Sequence, residues 1–320
     1  MSDYNTEAVT HNDGDILSYG VKITFIVMEV IIAILAVTGN LAVIIAFIKE
    51  PKLRRQTNYY IISLVGADFL VGAIGIPLGI IIPFTDLPLS GVSFCPARIS
   101  LLISFCNISI LSLVVISIKR FIILQSANEP QNDNMSTKIF FRDISLCWIV
   151  GIVVGFIPIF AHQEPIRRSC MLNDVLGKYL VVLRFIFLIV VPVFMLSFIY
   201  FKIYRIIRSQ IQSERTLKGS NCNELKLMRR EVRATRTISL IVLIFVFSWI
   251  PVHIVYILPV ITGTSVNKNI LAFVVNLAHS NSAINPFLYA YHMKDIRHAI
   301  IKRFAISSVS TSVPNSYVNS

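Results

Sequence analysis

A run of polar side chains interrupts an apolar segment near the end of the chain. Asn281, Asn285 and Tyr289 recur every fourth residue and so lie on one face of a helix, and Pro286 removes a backbone donor beside them. An unpaired polar group in hydrocarbon costs several kcal/mol, so these side chains must face protein, an ion or water. The pattern indicates a helix that changes shape, and the alternative is a fixed kink sealed by neighbouring side chains.

Glu29 lies in another apolar segment, on nearly the same helix face as Asn40. A carboxylate in a membrane helix costs about 2.5 to 3.5 kcal/mol unless it is paired. We predict that His279 is its partner. The alternative is that Glu29 reaches water at the outer surface.

Asp68 also lies within an apolar segment, where it needs a proton, a cation or several hydrogen-bond donors. Hard oxygen ligands around one carboxylate suit a monovalent cation such as sodium better than a transition metal. The side chains predicted to surround Asp68 are Ser109, Asn281, Ser282 and Asn285. The sequence shows no Cys/His cluster for zinc, no nucleophile–base pair and no Gly-rich phosphate loop. We therefore expect no catalytic residues, no enzyme activity and no metal beyond sodium.

The composition indicates a membrane protein. Of 320 residues, 55% are hydrophobic and 14% are charged, and the mean hydropathy is +0.73, which is too apolar for a soluble domain. Seven segments are long and apolar enough to cross a bilayer, and none alternates as a barrel strand would. They are 20–48, 57–84, 96–124, 139–161, 178–207, 237–261 and 270–291. We predict an all-α membrane protein built as a bundle of seven transmembrane helices.

The domain organisation follows from these segments. We expect an extracellular tail over 1–19 and a seven-transmembrane domain over 20–293. A short amphipathic eighth helix over 294–305 would lie on the cytoplasmic lipid surface, and a disordered, serine-rich cytoplasmic tail over 306–320 would follow.

Lysine and arginine residues cluster after the first, fifth and last segments, which places these links in the cytoplasm and the N-terminus outside. We expect a multi-pass protein of the plasma membrane. The net charge of +12 is accounted for by this asymmetry and an anionic inner leaflet, and not by nucleic acid. Cys95 and Cys170 are the only cysteines at extracellular ends, so they are the one plausible disulfide.

Trp249, His253 and Tyr256 follow an i, i+4, i+7 pattern and share one helix face, with Pro251 between them. They line either a binding site or an ordinary core. Arg184, about two turns into the fifth segment, either lines a cavity or reaches outward to the surface.

Motifs in every segment together resemble those of the rhodopsin-like (class A) G-protein-coupled receptors. They are Gly39-Asn40, Leu64-x-x-Ala67-Asp68, Cys95 with Cys170, Arg120, Trp148, Pro192 with Tyr200, Trp249-x-Pro251 and Asn285-Pro286-x-x-Tyr289. The resemblance implies an extracellular pocket for a small molecule and an allosteric sodium ion at Asp68, with Trp249 beside it. It also implies that the sixth helix swings outward to admit a heterotrimeric G protein, with arrestin and receptor kinases as further partners.

Within this class the chain is most similar to the adenosine receptors. The residues that carry this similarity are Glu29, Pro77-Leu78-Gly79-Ile80, the spacing of Trp148, Pro158 and Phe160, His253, and His279-Ser280-Asn281-Ser282. In that family the carboxylate of the first helix and the histidine of the seventh pair beside the ribose of the ligand. The similarity therefore implies a nucleoside-like ligand.

Several pocket positions depart from the adenosine-receptor pattern. Tyr256 replaces the adenine-binding asparagine, Leu172 replaces the stacking phenylalanine, and the ribose-side Thr and Ser become Cys106 and Ala278. A lost hydrogen bond costs about 1 to 3 kcal/mol and a lost stack about 0.5 to 1.5, together roughly tenfold to a few thousandfold in affinity.

Other residues at the expected pocket favour a different ligand. Arg98 and Arg184 near its mouth would favour negative charge, because arginine pairs well with carboxylate or phosphate. Leu102 and Ile103 complete the predicted pocket, where an amine receptor would carry a carboxylate. The alternatives to a nucleoside receptor are thus a receptor for an anionic small ligand and one that signals without a ligand. A transporter is disfavoured because the chain has no inverted repeat.

The predicted activation switch also departs from the family pattern. Lys119 replaces the acidic residue that normally precedes Arg120, and Glu231 stands where a substitute partner for Arg120 is expected. We predict basal signalling above that of a Lys119→Asp variant. The other members of the predicted switch are Tyr200, Pro286 and Tyr289.

Overall fold

The computed structural model describes residues 19–54, 56–81, 94–125, 137–161, 172–216 and 222–310, and these residues contain eight long helices and no strand. The first four helices are α1 (Tyr19–Lys49), α2 (Gln56–Leu70, Val71–Gly75 and Ile76–Ile81), α3 (Phe94–Gln125) and α4 (Thr137–Ala161). The other four are α5 (Leu172–Phe185, Ile186–Val190 and Val191–Thr216), α6 (Cys222–Thr262), α7 (Lys268–His292) and α8 (Lys294–Ser310). A 3-10 turn, Pro51–Leu53, links α1 to α2.

Within the described residues, α1 to α6 are long and apolar enough to cross a membrane. α7 has 25 residues, so its length is sufficient, but it carries a polar seam, which is the helix face with Asn281, Asn285 and Tyr289. His279, Asn281, Ser282, Asn285 and Tyr289 are all buried. The bundle therefore shields the polar face of α7 from lipid, as the cost of unpaired polar groups requires.

Prolines determine the shape of α2 and α5. Pro77 and Pro192 have no backbone N–H, so each interrupts the regular hydrogen-bond ladder of its helix. A wider π turn ends two residues before each of them, at Val71–Gly75 and Ile186–Val190. Such turns absorb local irregularity without ending the helix.

α3 lies at the centre of the bundle, packed against α2, α4 and α5, while α1 packs against α2 and α7 and α6 packs against α7. The α3–α4 contact depends on Gly155, where a Cβ atom would lie 2.6 Å from the Cα of Ser104. Small residues allow membrane helices to approach this closely. We call the end of the bundle with the start of α1 the N-terminal face, and the end with α8 the C-terminal face.

α8 begins at the predicted residue, Lys294, and continues past the predicted end at 305 to Ser310. Its Ile296 and Ala299 are buried where α8 packs against α1 and α7. The Nζ of Lys302 lies 3.3 Å from Oε2 of Glu50. Residues 1–18 and 311–320, in the two predicted tails, lie outside the described residues.

Candidate functional site

Glu29 on α1 and His279 on α7, which the sequence pairs, are in contact. The Nδ1 of His279 lies 2.9 Å from Oε1 and 3.0 Å from Oε2 of Glu29. Glu29 is 1% exposed and His279 8%, so the alternative in which Glu29 reaches water at the surface is wrong. An ionised carboxylate only accepts hydrogen bonds, so Nδ1–H donates and Nε2 remains available to another partner.

Asn40 joins α1 to α7 at the proline of the seam. Its Nδ2 donates to the carbonyl oxygen of Ser282 at 3.0 Å and to that of Ala36 at 2.8 Å. In a regular helix the Ser282 carbonyl would accept from the N–H of residue 286, which is a proline and has none. The Asn40 amide thus replaces the hydrogen bond that Pro286 removes. Gly39 permits the close approach, because a Cβ there would lie 3.0 Å from the ring of Pro286.

Asp68 on α2 is fully buried and accepts three side-chain hydrogen bonds from two neighbouring helices. Ser109 on α3 and Ser282 on α7 donate to Oδ1 at 2.8 and 2.9 Å, and Asn285 on α7 donates to Oδ2 at 2.7 Å. Three of the four predicted surrounding side chains therefore meet the carboxylate. α2, α3 and α7 converge on one negative group.

Asn281 and Trp249, also predicted for this cluster, make no hydrogen bond to Asp68. Among the described residues, Asn281 Oδ1, Asn285 Oδ1 and Trp249 Nε1 are buried without any hydrogen-bond partner. The oxygens of the cluster are carboxylate, hydroxyl and amide oxygens, the hard donors that suit an alkali cation. The described residues hold no group of three His, Cys, Asp or Glu side chains that would bind a transition metal.

The predicted face of α6 points into the bundle. Nδ1 of His253 lies 2.9 Å from the carbonyl oxygen of Trp249, and since a carbonyl only accepts, Nδ1 carries the hydrogen. The rings of Trp249 and His253 have centroids 5.7 Å apart, and those of Phe245 and Trp249 are 5.9 Å apart. This stack places a column of aromatic side chains in the interior, as the spacing predicts.

Arg184 on α5 also turns inward. Its Nε and Nη1 atoms are buried while the residue as a whole is half-buried, which favours the prediction that the side chain lines a cavity. Arg184 interacts electrostatically with Cys106 on α3 and with Tyr256 and His253 on α6. Tyr256 interacts with Arg98 on α3 as well. The two arginines of the expected pocket mouth therefore both act electrostatically on Tyr256.

The remaining predicted pocket residues lie in different parts of the bundle and do not line one common pocket. Ile103 packs with Cys95, Ile99, Val175 and Leu172 in a separate apolar cluster between the starts of α3 and α5. Leu102 lies against Gly75 on α2, and Ala278 is buried in the main core. Cys95 is disulfide-bonded, and Cys170 lies outside the described residues, so the predicted pairing stays a prediction.

The predicted switch residues lie nearer the C-terminal face. Ser117 donates to the Leu113 carbonyl at 2.8 Å, and the Tyr200 hydroxyl lies 3.1 Å from the Ser117 hydroxyl, which links α3 to α5. Arg120 is 3% exposed and interacts electrostatically with Tyr200. Tyr289 is buried, and its hydroxyl has no hydrogen-bond partner among the described residues. The Glu231 side chain lies outside the described part of the chain, so its predicted contact with Arg120 stays a prediction.

Sequence reasoning missed the partner of Lys119. Its Nζ lies 2.8 Å from Oδ2 of Asp143 on α4, and the Tyr60 hydroxyl on α2 donates to the same oxygen at 3.2 Å. The available signal was an acidic residue near the start of a membrane segment, which requires a partner as Glu29 and Asp68 do. Helical spacing alone does not show which neighbouring helix supplies that partner.

The chain was compared with known families and proteins. It matches the family model "7 transmembrane receptor (rhodopsin family)" over residues 39–289. It is 29% identical to adenosine receptor A3 of Canis lupus familiaris over 312 residues, which cover 92% of this chain and 96% of the relative. It is 28% identical to adenosine receptor A3 of Bos taurus over 308 residues, covering 91% and 94%. It is 27% identical to adenosine receptor A2a of Homo sapiens over 304 residues, covering 87% and 71%.

Proposed function

This chain belongs to the rhodopsin family of seven-transmembrane receptors, and we propose that it couples a nucleoside-like ligand to a heterotrimeric G protein. It is a multi-pass membrane protein and a receptor, not an enzyme. The proposal places it in the plasma membrane with the N-terminal face outside the cell. The ligand then enters at the N-terminal face, and the G protein binds at the C-terminal face.

The observation that carries the proposal is the buried pair of Glu29 and His279. It offers a nitrogen and carboxylate oxygens in an interior that is otherwise largely apolar. A ribose, whose hydroxyl groups both donate and accept, could hydrogen-bond to the remaining Nε2 atom and carboxylate oxygens of this pair, whereas an apolar ligand would offer them no partner. The similarity to adenosine receptors A3 and A2a over most of the chain supports this ligand class.

Signalling in this proposal is a population shift between two arrangements of the bundle. A ligand moves such an equilibrium only by its different affinity for the two states. Ligand contacts on α6 and α7 would act on helices that contain prolines within their bundle segments, Pro251 in α6 and Pro286 in α7. A kinked helix can change its bend without loss of regular hydrogen bonds, so these two helices are the proposed moving parts.

We further propose that the Asp68 cluster holds a sodium ion. Asp68, Ser109, Ser282 and Asn285 would supply oxygen ligands, and Asn281 contributes a buried, unpartnered oxygen nearby. A bound cation would neutralise a carboxylate that is fully buried with only neutral hydrogen-bond donors around it. The helices α2, α3 and α7 would then all contribute ligands to one ion.

The test is G-protein activation in membranes of cells that express the chain, with adenosine, inosine and adenine as ligands. We expect a saturable nucleoside response in the wild type that His279→Ala abolishes. His298→Ala, which removes an exposed histidine on α8, is the matched control and should respond as the wild type does. A flat response to all three compounds at verified surface expression would refute the nucleoside proposal.

A further inference from the structure

Arg184 is a half-buried residue whose guanidinium has no carboxylate partner among the described residues. Its Nε and Nη1 atoms are buried and have no hydrogen-bond partner in the part of the chain that the structure describes. The groups that interact with it electrostatically are Cys106, Tyr256 and His253, none of which is a carboxylate. Removing an arginine from water is strongly unfavourable when nothing compensates the charge. In membrane helices, such residues mark ligand or ion sites.

A second arginine reinforces the positive charge. Arg98 on α3 interacts with Tyr256, which also interacts with Arg184. Both arginines therefore act on one tyrosine, and a negative group placed among them would be attracted to each guanidinium.

The position of Arg184 suits a ligand that also reaches Glu29 and His279. At about 1.5 Å per residue, Glu29 and His279 lie roughly 15 Å from the starts of α1 and α7, and Arg184 lies roughly 10 Å past Gly177, where the backbone of α5 is not helical. His253, which interacts electrostatically with Arg184, and Trp249 form part of the interior aromatic column. One ligand of nucleoside size could therefore contact α1 and α7 with one end and α5 with the other.

We propose that the ligand is a nucleoside that carries a phosphate or carboxylate group, and that Arg184 binds this group with Arg98 and Tyr256 beside it. This inference rests on the nucleoside function proposed above. The planar guanidinium presents up to five N–H donors in a fixed fork, which matches two oxygens of a carboxylate or phosphate. The Glu29–His279 pair would hold the neutral sugar, and the arginines would select the charged derivative.

The experiment compares adenosine with adenosine monophosphate in G-protein activation, with ectonucleotidase activity blocked. We expect the monophosphate to activate the wild type at a concentration at least tenfold lower than adenosine. Arg184→Gln should raise the half-maximal concentration of the monophosphate about 10- to 100-fold and that of adenosine less than threefold. Arg184→Lys, which keeps the charge without the fork, should fall between wild type and Arg184→Gln.

Lys178→Gln is the matched control. Lys178 is exposed near the start of the same helix, so this variant removes one positive charge from the N-terminal face without touching the interior. It should leave both concentrations unchanged. An equal loss of potency in Lys178→Gln would show that general attraction of anions, and not a site at Arg184, selects the ligand.

Thermal unfolding in detergent supplies a readout independent of signalling. Without ligand, Arg184→Gln should melt at the same or a higher temperature than the wild type, because the variant removes a half-buried charge that no carboxylate of the described residues compensates. Adenosine monophosphate should raise the melting temperature of the wild type and not that of Arg184→Gln. A lower melting temperature of ligand-free Arg184→Gln would assign the arginine a structural role and overturn the inference.

The outcomes separate the two proposals. Activation by adenosine at lower concentrations than the monophosphate, or a preference that survives in Arg184→Gln, would overturn the anionic ligand while the nucleoside function stands. A response to neither compound at verified surface expression would overturn both.

Discussion

The Nζ of Lys119 on α3 lies 2.8 Å from Oδ2 of Asp143 on α4, next to the arginine of the predicted switch. The Tyr60 hydroxyl on α2 donates to the same oxygen, and Nζ lies 5.7 Å from the centre of the Tyr60 ring. Three helices thus meet at one carboxylate. Lys119 is therefore more than a like charge beside Arg120, because a carboxylate on another helix compensates it.

We predict that Lys119 and Asp143 are energetically coupled. Their side chains are 14% and 13% exposed, so the pair is less screened than a surface pair, and we expect a coupling free energy of about 1 kcal/mol. A double-mutant cycle with Lys119→Ala and Asp143→Ala, measured by thermal unfolding in detergent, determines it. Arg142→Ala is the control, because this exposed side chain also contacts Asp143, at 3.1 Å, and should change stability by less than about 0.5 kcal/mol. Additive single effects would show that the contact contributes nothing.

The Lys119–Asp143 pair should also affect ligand-free G-protein activation. A Lys119→Asp variant would bring a second carboxylate to Asp143, so it alters the α3–α4 contact as well as the surroundings of Arg120. Asp143→Asn is the complementary variant, because it removes the partner of Lys119 and keeps the residue next to Arg120. We expect wild-type ligand-free G-protein activation above that of Lys119→Asp at matched surface expression. Equal activation would show that the Lys119 charge does not set the resting state.

Removal of either member of the buried Glu29–His279 pair should destabilise the bundle. We expect Glu29→Ala and His279→Ala each to cost about 3 to 5 kcal/mol, because each leaves a buried polar group without its partner. The double variant should cost clearly less than the sum of the two. Thermal unfolding in detergent measures all three, with exposed His298→Ala as the neutral comparison. Fully additive losses would mean that the two side chains act independently.

The contribution of the Asn40 side chain to the free energy of unfolding should be smaller when Pro286 is replaced by alanine. Asn40→Ala leaves the Ser282 carbonyl without its donor, and we expect a loss of about 1 to 3 kcal/mol. In a Pro286→Ala background, the new backbone N–H would bond to that carbonyl, so the effect of Asn40→Ala should shrink. Unfolding free energies of the four variants in the cycle test this compensation. An unchanged effect of Asn40→Ala would show that its stabilisation comes from other contacts.

Sodium should stabilise the receptor through Asp68. We expect added sodium chloride to raise the melting temperature of the wild type more than the same concentration of choline chloride does. Asp68→Asn should lose this difference, because the amide retains the shape of the side chain and removes the charge that the cation compensates. A sodium effect of the same size in Asp68→Asn would place the ion elsewhere.

The length, hydrophobicity and helical period of the segments suffice to predict the class of fold, because a polar backbone in hydrocarbon must form helices. They also predict which side chains need a buried partner, as for Glu29, Asp68 and the seam of α7. The family resemblance places these residues in a receptor, and the match to the rhodopsin family confirms it.

The sequence by itself thus determined seven membrane helices, a few polar side chains that need buried partners, and the inward direction of the α6 aromatic column. Only the tertiary structure decided which groups interact. It shows that the Asn40 amide donates to the Ser282 carbonyl, that Asp143 pairs with Lys119, and that Arg184 interacts electrostatically with Tyr256. Periodicity specifies the face of a helix on which a residue lies. The neighbour on that face depends on how the helices pack, and that packing arises from contacts between residues far apart in the chain.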